Sequence, residues 1–261
     1  MSLVRYYHYL NTELSDPRTR DWVLVSSPVP VVLLTFAYLY FVLKCGPRYM
    51  KNRPAYKLFT FIRIFNIFQI IANACLMYSL IDVGLHEDNF VTCSSHYLHT
   101  PEGYKLCHIG WYTLIVKLSD YIETPVFVLR QKQRQISFLH LYHHVTTMIL
   151  SWIYVKYFPN ETTITPLLLN CSVHVIMYTY YLLTSYGPSM QKRLKMIKPM
   201  ITTIQLVQFV IIIFLSLRVI FVPKCTGAKV YASILLIDVI VNFVLFSNFF
   251  KQNYLKNNKL E

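Results

Sequence analysis

Three imidazoles stand together in His140-Leu141-Tyr142-His143-His144. At about 100° per residue, positions i, i+3 and i+4 share one side of a helix, so all three rings can face one interior. The run lies in an apolar stretch, residues 136–158, long enough to cross a membrane. Ionisable side chains are costly in hydrocarbon and mark functional sites there. Neutral imidazoles can hold a transition metal. Alternatively, one imidazole can attack a thioester to give a reactive acyl-imidazole while another moves protons near neutral pH. A proton-coupled transporter or a seven-helix receptor would make a non-enzymatic reading.

Other apolar stretches offer partners. In Lys117-Leu-Ser-Asp120-Tyr121-Ile-Glu123-Thr124, the residues Lys117, Asp120, Tyr121 and Thr124 are spaced i, i+3, i+4, i+7 and predict one stripe. Glu123 lies about 60° from Asp120. Either carboxylate can accept a ring N–H and fix a tautomer, or pair with Lys117 to hold helices together. Asn170, His174, Met177, Tyr178 and Tyr181 also share one helix face. Counted from the cytosolic ends of their stretches, His143, His174 and Asp120 agree in depth to within about 8 Å. Gln205 and Gln208 are i, i+3 neighbours that either bond across helices or line a substrate path. A metal-dependent lipid oxidoreductase of the membrane desaturase kind needs several histidine boxes, and no second HxxHH exists in this chain. Catalysis without metal is therefore the favoured reading.

The 261 residues are 55% hydrophobic and 14% charged, with mean hydropathy +0.40. A soluble domain would carry about a quarter charged residues. The expected class is an all-α polytopic membrane protein, a single domain over 1–261, with seven spans near 29–45, 58–82, 108–129, 136–158, 163–186, 199–222 and 229–250. The net charge of +13 belongs to one set of linkers: Lys44 to Lys57, Arg130 to Arg134, Lys192 to Lys198 and the tail from Lys251. The positive-inside rule puts these in the cytosol and the N-terminus in the lumen, so the charge does not imply nucleic acid. The first 28 residues carry Glu13, Asp16 and Asp21 and lack an apolar core, so no signal peptide is expected. Cys93 and Cys225 fall in lumenal linkers, where an oxidising compartment permits a disulfide.

The chain resembles the very-long-chain fatty acid elongases of the ELO family over nearly its full length. The matching residues are Asp16-Pro17-Arg18 with Trp22, Ser27-Pro28, Gly46-Pro47 with Met50, and the stretch Lys117 to Thr124. They continue with Phe138-Leu139-His140-x-x-His143-His144, Asn170-x-x-x-His174-x-x-Met177-Tyr178-x-Tyr180-Tyr181 and Thr203-x-Gln205-x-x-Gln208-Phe209. One departure stands out. The family pattern Lys-x-x-Glu-x-x-Asp-Thr is met here with its acids exchanged, Asp120 then Glu123. Each carboxylate thereby moves by about 1 Å, which bears on efficiency more than on the reaction itself.

The resemblance implies a 3-ketoacyl-CoA synthase of the endoplasmic reticulum membrane, an acyltransferase that condenses acyl-CoA with malonyl-CoA and needs no metal or cofactor. It implies six helices in a barrel around an acyl tunnel, with the first span outside. His143 would carry the acyl group, His174 would act at the reacting carbonyl with Asn170 nearby, and His140 and His144 would orient the site. Lys117, Asp120, Glu123, Thr124, Tyr178 and Tyr181 would support them. Gln205, Gln208, Arg130, Lys132, Lys192 and Lys195 would meet substrate, the basic ones through CoA phosphates. Membrane lipids, other enzymes of the elongation cycle and a second copy of the chain are the expected partners.

Overall fold

A computed structural model describes residues 2–85, 100–222 and 226–255, and all helices and turns among them are free of strand pairing. In chain order the helices are α1 (Leu3–His8), α2 (Val29–Tyr40), α3 (Gly46–Met50), α4 (Phe59–Leu85), α5 (Pro101–Asp120), α6 (Glu123–Leu129), α7 (Phe138–Tyr157), α8 (Ile164–Thr184), α9 (Pro188–Arg193), α10 (Ile197–Phe221) and α11 (Thr226–Phe250). A π-helical turn, Phe41–Cys45, joins α2 to α3. Cys93 and Cys225 lie outside the described residues, as do His86, His96 and His99.

Among the described residues, five stretches are long and apolar enough to cross a membrane: Val29–Met50, Phe59–Gly84, Glu161–Thr184, Ile197–Phe221 and Gly227–Leu255. The protein is therefore a multi-pass membrane protein. The stretches expected at 108–129 and 136–158 are helical but fall below that threshold. Their load of Lys117, Asp120, Glu123 and three histidines lowers their hydropathy.

The chain forms two compact units, Met1–Lys57 with Ser94–Glu161, and Leu58–Cys93 with Thr162–Glu261. In the first, α5 lies against α7, and Gly110 permits the contact: a Cβ there would sit 2.7 Å from the Tyr154 ring. The segment before α2 is pinned to the same pair. Asp16 and Arg18 form an ion pair at 2.7 Å, both side chains nearly sequestered from solvent. Arg18 also donates to the Pro159 carbonyl at 3.0 Å. Burial lowers the Arg18 guanidinium, but the bond to Asp16 and the charge interactions with Cys107, Asp16 and Tyr154 together leave it raised above the ordinary value. Trp111 and Trp152 donate their indole N–H groups to Val23 and Leu24 carbonyls at 2.9 and 2.8 Å. Lys156 is fully buried, its ammonium donating to the Val25 carbonyl at 2.8 Å. Its position at the end of an apolar helix gave no sign that a neighbouring segment would fold over it.

In the second unit, α4 runs antiparallel to α8, and α10 packs on both α8 and α11. Phe209, Ile212 and Val239 form the α10–α11 core, to which α8 contributes Leu169.

Candidate functional site

The histidine box begins at a helix cap. Ser137 accepts the His140 backbone N–H at 3.2 Å, which starts α7 and sets the phase of the three rings that follow. His140 and His144, one turn apart, have ring centroids 4.1 Å apart, and His143 and His144 are 5.8 Å apart. His144 is buried, and its Nε2 lies 3.6 Å from a Glu123 carboxylate oxygen. His140 Nε2 lies 2.8 Å from the Thr124 hydroxyl, which is also 2.8 Å from the Tyr38 hydroxyl. Tyr38 on α2, Thr124 on α6 and His140 on α7 thus form a relay of hydrogen bonds across three helices. Its direction decides which nitrogen of His140 carries the proton.

The expected stripe is present in the first unit: Lys117, Asp120, Tyr121 and Thr124 are all buried, while Ile122 between them is exposed. The helix breaks at Tyr121–Ile122, between α5 and α6. Pro125 accounts for this, since it lacks the N–H that would bond the Tyr121 carbonyl and its ring crowds that carbonyl. Tyr121 stacks at 4.1 Å on Tyr38, the tyrosine whose hydroxyl meets Thr124, and lies 3.0 Å from the Thr35 hydroxyl. The two acids have different partners. Asp120 faces Lys117 at 3.6 Å, both buried, while Glu123 faces His144. Glu123, one of the two carboxylates considered for orienting the box, is thus beside a box histidine. Glu123, His140 and His144 each present a ligand atom, all within 4.8 Å of one another, so this cluster has the composition of a metal site as well as of an acid–base site.

The second unit holds the other expected residues. His174 and Tyr178 are buried on α8 with ring centroids 5.8 Å apart, Tyr181 is 6.0 Å from Tyr178, and Asn170 lies one turn before His174. Gln208 is buried on α10, and the Gln205 amide lies 3.8 Å from Met177 sulfur. Arg130, Lys132, Lys192 and Lys195 lie in the linkers, all exposed except the half-buried Arg130. Sequence reasoning missed Tyr38, a tyrosine indistinguishable by type from its neighbours Tyr40 and Tyr49. It also missed the buried Asn66, Gln69 and Asn73 on α4 and Asp238 and Asn242 on α11. Their three- and four-residue spacing was the available signal.

The model of the ELO: GNS1/SUR4 family matches residues 23–261. A very long chain fatty acid elongase of Aedes aegypti is 34% identical over 95% of this chain and 69% of its own length. Very long chain fatty acid elongase 7 of Drosophila melanogaster is 33% identical over 93% and 74%. Very long chain fatty acid elongase 1 of Mus musculus is 31% identical over 99% and 93%. Neither the oxidoreductase reading of the box nor a receptor or transporter is favoured by these relatives. The chain belongs to the ELO family and acts in fatty acid elongation.

Proposed function

We propose that the protein is a 3-oxoacyl-CoA synthase, condensing long-chain acyl-CoA with malonyl-CoA in the endoplasmic reticulum membrane. Elongase membership supports the reaction class. The observation that carries the chemistry is the clamp on the box, Thr124 on His140 and Glu123 beside His144. Two of three imidazoles are thereby oriented by groups from α6, as acid–base catalysis requires.

The reaction divides into two transfers. A ring nitrogen of His143 attacks the acyl thioester carbonyl, the C–S bond breaks, and the thiolate leaves with the ring proton as CoA. Malonyl-CoA then loses CO2, and the resulting enolate carbon attacks the acyl-imidazole. A C–C bond forms, the C–N bond breaks, and the imidazole regains one proton from the cytosol. His174 and Asn170 stabilise the carbonyl oxygens that gain charge. His140 and His144 orient the box, with no metal or cofactor taking part. The chain works as one seven-span domain with the N-terminus lumenal, six helices enclosing the acyl chain, whose burial is worth about 0.8 kcal/mol per CH2. Arg130, Lys132, Lys192 and Lys195 draw the CoA phosphates, and Gln205 and Gln208 meet substrate. Membrane lipids, the other elongation-cycle enzymes and a second copy are its partners.

Intact-protein mass spectrometry after mixing with acyl-CoA alone tests the first transfer. The expected result is a mass increase of one acyl group that His143→Ala lacks. No adduct in the wild type, or the same adduct in His143→Ala, would overturn it.

A further inference from the structure

Helix α4 carries Arg63, Asn66, Gln69 and Asn73 at three- and four-residue intervals, which sets them along one side. Asn66, Gln69 and Asn73 are 3%, 0% and 1% exposed. Buried amides in membrane helices commonly act as glue, and glue is satisfied by its partners. Asn73 behaves that way, donating to the Gln69 carbonyl at 2.8 Å and to the Gln69 side-chain oxygen at 3.2 Å. Asn66 does not. Its amide nitrogen, with two N–H donors, meets no acceptor among the described residues, and neither does the buried Nε of Arg63.

The neighbouring helix shows where these donors lie. Met77 meets Ser172 at 3.2 Å, Phe65 stacks edge-on against Tyr178, and Arg63 donates to the Ser185 carbonyl at 3.3 Å. The Arg63 guanidinium also lies 4.4 Å from the centre of the Tyr186 ring. These four contacts fix the antiparallel register. Within about one turn, Asn73 is level with His174, Gln69 with Tyr178 and Asn66 with Tyr181. The amides therefore descend α4 from a cationic rim to the depth of His174.

We propose that this track receives the pantetheine arm of the CoA thioesters, with Asn66 donating to an amide carbonyl of the arm and Arg63 meeting its phosphate end. The inference rests on the elongase reading, in which both substrates are CoA thioesters. The arm consists of two secondary amides and a hydroxyl between a diphosphate and a thiol. Its carbonyls are the acceptors that Asn66 lacks, and Arg63 to Asn73 spans about 15 Å of helix. Acyl-CoA and malonyl-CoA share this arm, so one track serves both transfers. A residue reading only the acyl chain would discriminate between them.

Calorimetric binding to the purified full-length protein provides the test, with free CoA and adenosine 3′,5′-bisphosphate as probes. The second probe has the phosphates and adenine but no arm. Asn66→Leu is expected to weaken CoA binding by about tenfold and leave the bisphosphate unchanged. Asn66→Ala reads the same loss if the leucine variant does not fold. Unchanged CoA binding in a folded variant overturns the proposal while the elongase reading stands, and so does an equal loss of both probes. Failure of the wild type to bind CoA overturns the reading beneath it as well.

Discussion

Replacing Thr124 by valine keeps the shape of the side chain and removes one oxygen. That oxygen is fully buried and lies 2.8 Å from both the Tyr38 hydroxyl and His140 Nε2. Hydrogen bonds between membrane helices are worth about 0.6 to 2 kcal/mol each, so Thr124→Val should cost about 1 to 4 kcal/mol. That corresponds to a melting temperature lower by roughly 3 to 10 °C. Tyr38→Phe should cost about half as much, because it leaves the Thr124–His140 bond in place. The double variant removes both ends of the outer bond and leaves no orphaned tyrosine hydroxyl. Its destabilisation should fall short of the sum of the single variants by about 1 kcal/mol. Activity should separate the variants more sharply. His140 loses its oriented nitrogen in Thr124→Val, and kcat should fall by about tenfold or more, since small misplacements in a site are costly. Tyr38→Phe should fall by less. The assays are thermal unfolding in detergent and turnover of labelled malonyl-CoA. Wild-type kcat in Thr124→Val, or strictly additive stabilities, would refute the relay.

The remaining predictions concern the acids and the pinned N-terminal segment. Glu123→Asp should lower kcat by several-fold, since it draws the carboxylate about 1 Å back from His144. Asp120→Glu should be milder, because Asp120 faces Lys117 within its own helix. Turnover measurements giving the reverse order would contradict this division. Arg18→Met leaves the Asp16 carboxylate buried without its cation and should destabilise the protein by about 3 to 5 kcal/mol. Adding Asp16→Asn should restore part of that in thermal unfolding.

The legible parts were those that depend on local spacing. The three histidines share a face because of i, i+3, i+4 geometry alone, and the cap at Ser137 realises it without tertiary help. The five apolar spans were likewise written in composition. Lys156 was not, because its burial depends on a segment more than a hundred residues earlier folding over it. The amides of α4 were readable by the same spacing that singled out Asn170 and His174, but an amide draws less notice than a charge.

The turn before α6 shows that a stripe on one face does not by itself say which partner each side chain meets. Lys117, Asp120, Tyr121 and Thr124 are all buried, with the half-buried Glu123 beside them. Pro125 removes the bond to the Tyr121 carbonyl, while Tyr121 and Ile122 keep right-handed helical angles across the break. Glu123 and Thr124 meet the box, Asp120 pairs with Lys117, and Tyr121 and Thr124 both meet α2. The two acids were interchangeable by type and nearly so by angle. What distinguishes them is which side of the break each occupies. The exchange of Asp and Glu relative to the family pattern then has a direction. The longer side chain stands beyond the break, where it has a histidine to reach. The shorter one stands before it, where its lysine is one turn away on the same helix.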